Sequence, residues 1–102
     1  MNVDFEINNI RINARVSAII YNKDKNKVLL FKVEDGRDYY MLPGGRIELN
    51  ESSNNAIIRE IKEELNFDLT YKLCAIEENF IKKDGKIICN TPLYIKQYMM
   101  IR

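Results

Sequence analysis

The hydrophobic positions change their period along the chain. Residues 14–21, Ala-Arg-Val-Ser-Ala-Ile-Ile-Tyr, are β-rich and mostly apolar, as a central strand is. Asn22 to Asn26 is a polar turn and 27–33 reads as a second strand, so the two predict a hairpin with a longer loop. Asp35-Gly36-Arg37-Asp38 is a further turn, and Tyr39 to Leu42 is a short strand that stops at Pro43. Pro43-Gly44-Gly45 is the sharpest break in the sequence. From Ser52 and Ser53, both candidate N-caps, the pattern turns helical as far as Leu65. With Glu60 at zero and about 100° per residue, Ile57, Ile61, Leu65 and Ile58 fall near 60°, 100°, 140° and 160°, on one apolar face. Asn66 tolerates the left-handed conformation that ends many helices. Residues 69–81 then read as strand, Lys82-Lys83-Asp84-Gly85 as a turn, and 86–101 as apolar and β-prone with a break at Thr91-Pro92. Strands, one helix and strands again predict an α/β domain, with a mixed sheet carrying the helix.

Composition narrows the function. The 102 residues make one small domain, 1–102, and 46% hydrophobic with 30% charged residues is a globular balance. Sixteen basic against 15 acidic residues leave a net charge of +1, which gives no global pull toward nucleic acid or anionic membrane. No apolar run is long enough to span a membrane, and Met1-Asn2-Val3-Asp4 opens no signal-like apolar stretch, so a cytoplasmic location is expected, with no membrane partner and no nucleic acid. There is no histidine, which excludes Ser-His-Asp and Cys-His catalysis and every imidazole metal site. Cys74 and Cys89 read as two half-buried thiols in a reducing compartment. Chemistry is left to carboxylates, Lys, Arg, Tyr and the backbone.

On the same wheel Glu60, Glu63 and Glu64 fall at about 0°, 300° and 40°, beside the apolar face rather than opposite it. Like charges three and four residues apart repel, so this stripe calls for a positive partner. Lys62, near 200°, points away, and Arg59, near 260°, flanks Glu63 without balancing three charges. A divalent cation is the simplest answer, and an oxygen-only donor set favours Mg²⁺ or Mn²⁺. A solvated acidic face is the alternative. The preceding glycine loop weighs toward metal, because its backbone can approach a phosphate or offer a carbonyl.

The run from Gly45 through Glu51 to Arg59-Glu60-Ile61-Lys62-Glu63-Glu64-Leu65-Asn66-Phe67 resembles the Nudix box, G-x5-E-x7-R-E-U-x-E-E-x-G-U with U a bulky aliphatic. Leu42-Pro43-Gly44-Gly45-Arg46-Ile47-Glu48 resembles the lead-in to that box. Asn66 replaces the last glycine and Phe67 the last aliphatic residue. The resemblance implies a Nudix-type α/β/α sandwich with a mixed sheet, and a metal-dependent hydrolase of nucleoside diphosphates linked to another group. It implies that Glu60, Glu63, Glu64 and the Gly45 carbonyl hold Mg²⁺ or Mn²⁺. Arg59 would orient a glutamate through Glu51, with Glu48 also in support, and Glu60 or Glu64 would help deprotonate the attacking water. Gly44, Gly45 and Arg46 are the expected phosphate contacts, with Arg37 a weaker one. Glu77 and Glu78 are candidates for a further acidic ligand, and Phe31, Tyr39 and Tyr40 for base stacking.

Against the family the chain is expected to be short at its C-terminus, without the last strand and helix. A truncated product, a domain completed by homodimerisation and an altered C-terminus are the three readings of that. The expected partner is a nucleotide or another nucleoside-diphosphate derivative. A weakly catalytic nucleotide-binding module and a hydrolase of RNA 5′ ends are the alternatives to the small-molecule hydrolase.

Overall fold

The computed structural model describes residues 1–36 and 38–98, so Arg37 and the end of the β-prone segment, 99–101, lie outside the described residues. The chain order is β1 (Asp4–Ile7), β2 (Ile10–Tyr21), β3 (Phe31–Glu34), β4 (Asp38–Met41), β5 (Gly44–Arg46), α1 (Ser53–Leu65), β6 (Lys72–Ile76), β7 (Asn79–Lys83) and β8 (Lys86–Tyr98). Six strands form a mixed sheet in which β2 and β8 run parallel at the centre. The antiparallel strands β1 and β5 share one side of β2, and β6 and β7 share the far side of β8. The fold is therefore mixed α/β with one helix among the described residues, as the periodicity predicts.

Alternation along β2 decides where the core sits. Val16, Ala18 and Ile20 point to one face and are fully buried, against Ala56, Ile57 and Ile61 of α1 and Ile47. Removing such side chains from water is the main force holding the helix on the sheet. The helix ends follow local rules. Ser52 Oγ accepts the Asn55 N–H at 3.1 Å, and Asn66 sits in the left-handed region, its N–H donating to the Lys62 carbonyl. Asp84 and Gly85 both have positive φ and make the turn that Asp-Gly signals, whereas Lys82 and Lys83, expected in it, end β7.

Several expectations change. β2 begins four residues earlier than 14, because Asn8 and Asn9, both with positive φ, turn β1 back onto it. The 14–21 and 27–33 hairpin is only begun: Leu29 N–H reaches the Ile20 carbonyl and Tyr21 bridges Val28, after which β3 pairs with β4 in a separate two-stranded sheet. The 69–81 strand is two strands separated at Glu77-Glu78. β8 continues through Thr91-Pro92, since those residues fall opposite the same gap, between the Asn79–Asn90 and Ile76–Leu93 pairs. On that side a missing proline N–H breaks no ladder.

The register also lines up Phe5, Ile12, Cys89 and Phe80 across four strands, beside Ile7, Ile10 and Ile87. All but Cys89, which is half-buried, are exposed among the described residues. Cys74 is exposed rather than half-buried. Among the described residues no helix is long and apolar enough to cross a membrane.

The cap contact gives a stability prediction. Ser52→Ala should lower stability by about 1 kcal/mol, read as a lower urea midpoint at unchanged slope.

Candidate active site

The site is assembled where the start of α1 meets β5. The N-cap fixes the helix register, and that register points Arg59 back over residues 46–51. The Arg59 guanidinium grips Glu51 with two bonds, Nε to Oε2 at 2.7 Å and Nη2 to Oε1 at 2.9 Å. Such a fork matches a carboxylate in plane and charge, and is among the stronger protein hydrogen bonds. Glu51 also accepts the Glu48 N–H at 3.1 Å, and the Glu51 N–H donates to the Glu48 carbonyl at 3.2 Å. Glu48 therefore supports the site through its backbone. Arg59 holds the Glu51 carboxyl below its ordinary pKa, with the Glu48 N–H adding to this, and the Arg59 guanidinium is correspondingly raised, first by Glu51.

The same guanidinium has three further contacts. Nη1 donates to Glu60 Oε1 at 3.0 Å, Nη2 to the Arg46 carbonyl at 3.2 Å, and Nη1 lies 3.6 Å from Glu63 Oε1. The Glu60 side chain is 15% exposed and that of Glu63 60%. The helical wheel treats the three glutamates alike, whereas the structure holds Glu60 and leaves Glu63 in water.

Two glycines make room for this arrangement. A Cβ on Gly45 would collide with the Glu60 carboxylate, its Oε1 and Oε2 lying 2.5 and 2.6 Å away. A Cβ on Gly44 would run into the Val16 carbonyl and come within 2.8 Å of Ser17 Cα, since β5 lies flat against β2 here. These residues form a paired strand rather than the loop their sequence suggests.

Glu64 lies one turn beyond Glu60 and within hydrogen-bonding reach of it. Desolvation raises the Glu64 carboxyl above its ordinary pKa, and the Glu60 and Glu63 charges add to that, with Arg15 opposing. The charge of Arg15 therefore reaches the carboxylates, although its place in the sequence marks only the polar side of a strand.

Among the described residues no three carboxylate or thiol side chains gather closely enough to hold a metal ion. The donors still fit a hard divalent cation. They are oxygens only, Glu60 rests on Gly45, and Glu64 carries a like-charge repulsion that Arg15 offsets only in part and a cation would remove. Glu63 would have to leave Arg59 to join them.

Arg46 projects from β5 to Asp4, Nη1 to Oδ2 at 3.1 Å, and Asp4 also takes both Nε and Nη2 of Arg11 at 2.8 Å. The Arg11 hydrogen bonds lead in holding the Asp4 carboxyl below its ordinary pKa. Tyr71 Oη is buried without a partner among the described residues, and burial pushes its pKa up to about 12. Of the weaker candidates, Tyr40 is exposed on β4, and Glu77 and Glu78 are exposed between β6 and β7.

Comparison with known proteins agrees with the sheet and the helix. The NUDIX domain profile matches residues 11–88. The dihydroneopterin triphosphate diphosphatase of Haemophilus influenzae is 34% identical over 64 residues, 63% of this chain. The mRNA-decapping protein D10 of Fowlpox virus is 33% identical over 85% of this chain. The chain spans only 40% and 43% of the lengths of these two relatives. The solved structure of the Escherichia coli dihydroneopterin triphosphate pyrophosphohydrolase matches with a TM-score of 0.71 and 25% identity, covering 84% of this chain and 67% of that one.

The Asp4 cluster predicts an acid response. Because the folded-state pKa of Asp4 is depressed, its contribution is present above its unfolded pKa and is lost as pH falls through the lower folded value. Asp4→Asn should melt below the wild-type protein at neutral pH. The two melting curves should converge below about pH 4.

Proposed function

This chain belongs to the Nudix family, and from that premise we propose that it hydrolyses the pyrophosphate bond of a small nucleoside-diphosphate derivative, with Mg²⁺ or Mn²⁺ as cofactor. The observation that carries this reading is Glu60 seated on Gly45 and held by an arginine that is itself anchored to Glu51. A surface acidic stripe needs no such support.

Glu60, Glu64, Glu63 and the Gly45 carbonyl would hold the metal. When bound, the ion supplies positive charge to phosphoryl oxygens and acidity to water. Arg59 fixes the direction of Glu60. Glu64 is in reach of Glu60 without an arginine bonded to it, so it accepts the proton from the attacking water. Water oxygen then bonds to one phosphorus while the bridging P–O bond breaks, leaving two phosphorylated products. Gly44 and Gly45 let backbone approach the phosphates, and Arg46 offers them a guanidinium.

A second reading, cleavage at RNA 5′ ends, is favoured by the extent of the match to the poxvirus decapping protein. The near-neutral net charge supports the small substrate instead.

The test is product release from nucleoside triphosphates, ADP-ribose, dinucleoside polyphosphates and 5′-triphosphate RNA, in Mg²⁺ and in EDTA. Metal-dependent turnover of a small substrate is the expected result. Absence of turnover by folded protein that binds metal would favour a binding module instead. Glu64→Gln should lower turnover by more than about 100-fold, the scale of general-base effects. Near-normal turnover in that variant would remove Glu64 from its role. Arg59→Ala should reduce turnover more than it reduces Mn²⁺ affinity, because Arg59 orients a ligand and is not one. Equal losses in a metal titration would contradict that.

A further inference from the structure

The face of β2 turned away from the core is polar through much of its length. Arg11, Asn13, Arg15 and Ser17 alternate with the buried positions and share this face. Three observations set the stretch around Asn13 and Arg15 apart from an ordinary solvated strand.

Asn13 is 8% exposed, and its Oδ1 finds no hydrogen-bond partner among the described residues. Buried acceptors are normally paired, so this atom waits for a donor. Arg15 stands directly opposite Arg46 in the β2–β5 ladder. Like charges at directly opposed positions destabilise a sheet unless something negative lies between them. Arg46 has Asp4, which it shares with Arg11, whereas Arg15 is half-buried and makes no hydrogen bond or ion pair among the described residues. Asp4 thus serves both Arg11 and Arg46, and Arg15 has only the more distant charge of Glu64 to offset its own. Arg15 is also near enough to Glu64 for its charge to be felt there, so the stretch borders the catalytic end of α1.

An anion between Arg15 and Arg46 removes the repulsion, and a donor on the same molecule completes Asn13. We propose that this face of β2 is the substrate-selecting site: Arg15 and Arg46 bind a phosphate group, and Asn13 Oδ1 accepts a hydrogen bond from an N–H or O–H of the nucleoside joined to it. Asn13 and Arg15 are two residues apart on one face, about 7 Å along the strand, so the ligand must carry its donor close to its phosphate. A mononucleotide does; bare polyphosphate does not. The proposal rests on the reading of the substrate as a nucleoside phosphate and adds the residues that would recognise it.

Calorimetric binding of tripolyphosphate, ATP and GTP to the full chain in EDTA tests this apart from turnover. Arg15→Gln should weaken all three ligands by about tenfold, the worth of one charge-assisted hydrogen bond, and Arg15→Lys should recover part of the loss. Asn13→Leu should weaken a nucleotide by a similar factor, leave tripolyphosphate unchanged, and not lower the melting temperature, since an unpaired atom is removed. The proposal is overturned if Arg15→Gln binds tripolyphosphate as the wild-type protein does. It is equally overturned if Asn13→Leu treats nucleotide and tripolyphosphate alike, or if the wild-type protein binds none of the three. Binding with this pattern and no hydrolysis in Mg²⁺ would instead reject the enzymatic reading and leave the recognition site standing.

Discussion

The Arg59 guanidinium organises the candidate site. It joins Glu51, just before the helix, to Glu60 within the helix and to the Arg46 carbonyl on the neighbouring strand. Those contacts fix the loop, the helix and β5 relative to one another. Glu60 is thereby held against a strand position that only glycine leaves open. An arginine suits this task because its planar fork can meet a carboxylate with two bonds while spare N–H groups reach elsewhere. A lysine at the same place could not make the three-way joint.

The sheet supplies what the helix cannot. β2 lies at the centre and carries two kinds of information on its two faces. Its buried positions seat α1, which sets the height of the glutamates above Gly45. Its polar positions, from Arg11 to Ser17, run under the other side of the site. The short strand β5 couples the faces: Gly45 looks toward Glu60, and Arg46 toward Asp4. One three-residue strand thus serves both the carboxylate cluster and the arginine cluster.

Much of this was legible where local rules decide the outcome. Asn66 and the apolar face of 57–65 foretell the helix and its end, with Ser52 the one of two candidate caps that is used, and Asp84-Gly85 foretells its turn. The box residues foretell the family. Pairing was less legible, because it depends on residues far away. Nothing in 27–33 says that Phe31 will leave β2 for β4, and nothing in Thr91-Pro92 says that the partner strands will also break opposite it. The Asn8-Asn9 turn carried a usable signal, since asparagine tolerates positive φ, and it would have revealed β1. Asn13 and Arg15 acquire meaning only once the register sets Arg46 opposite Arg15 and buries the amide. The inequality among the three glutamates is likewise a tertiary effect of Arg59 and Gly45.

The central claim is that Glu60, as Arg59 and Gly45 hold it, is a metal-binding group rather than one more surface charge. Mn²⁺ titration of wild-type protein and Glu60→Gln, followed by electron paramagnetic resonance, tests it most directly. The glutamine keeps the shape and can still accept the Arg59 hydrogen bond, so the melting temperature should stay close to that of the wild-type protein. The account predicts saturable Mn²⁺ binding that weakens by about tenfold or more in the variant. Equal Mn²⁺ affinity in the two proteins would contradict it.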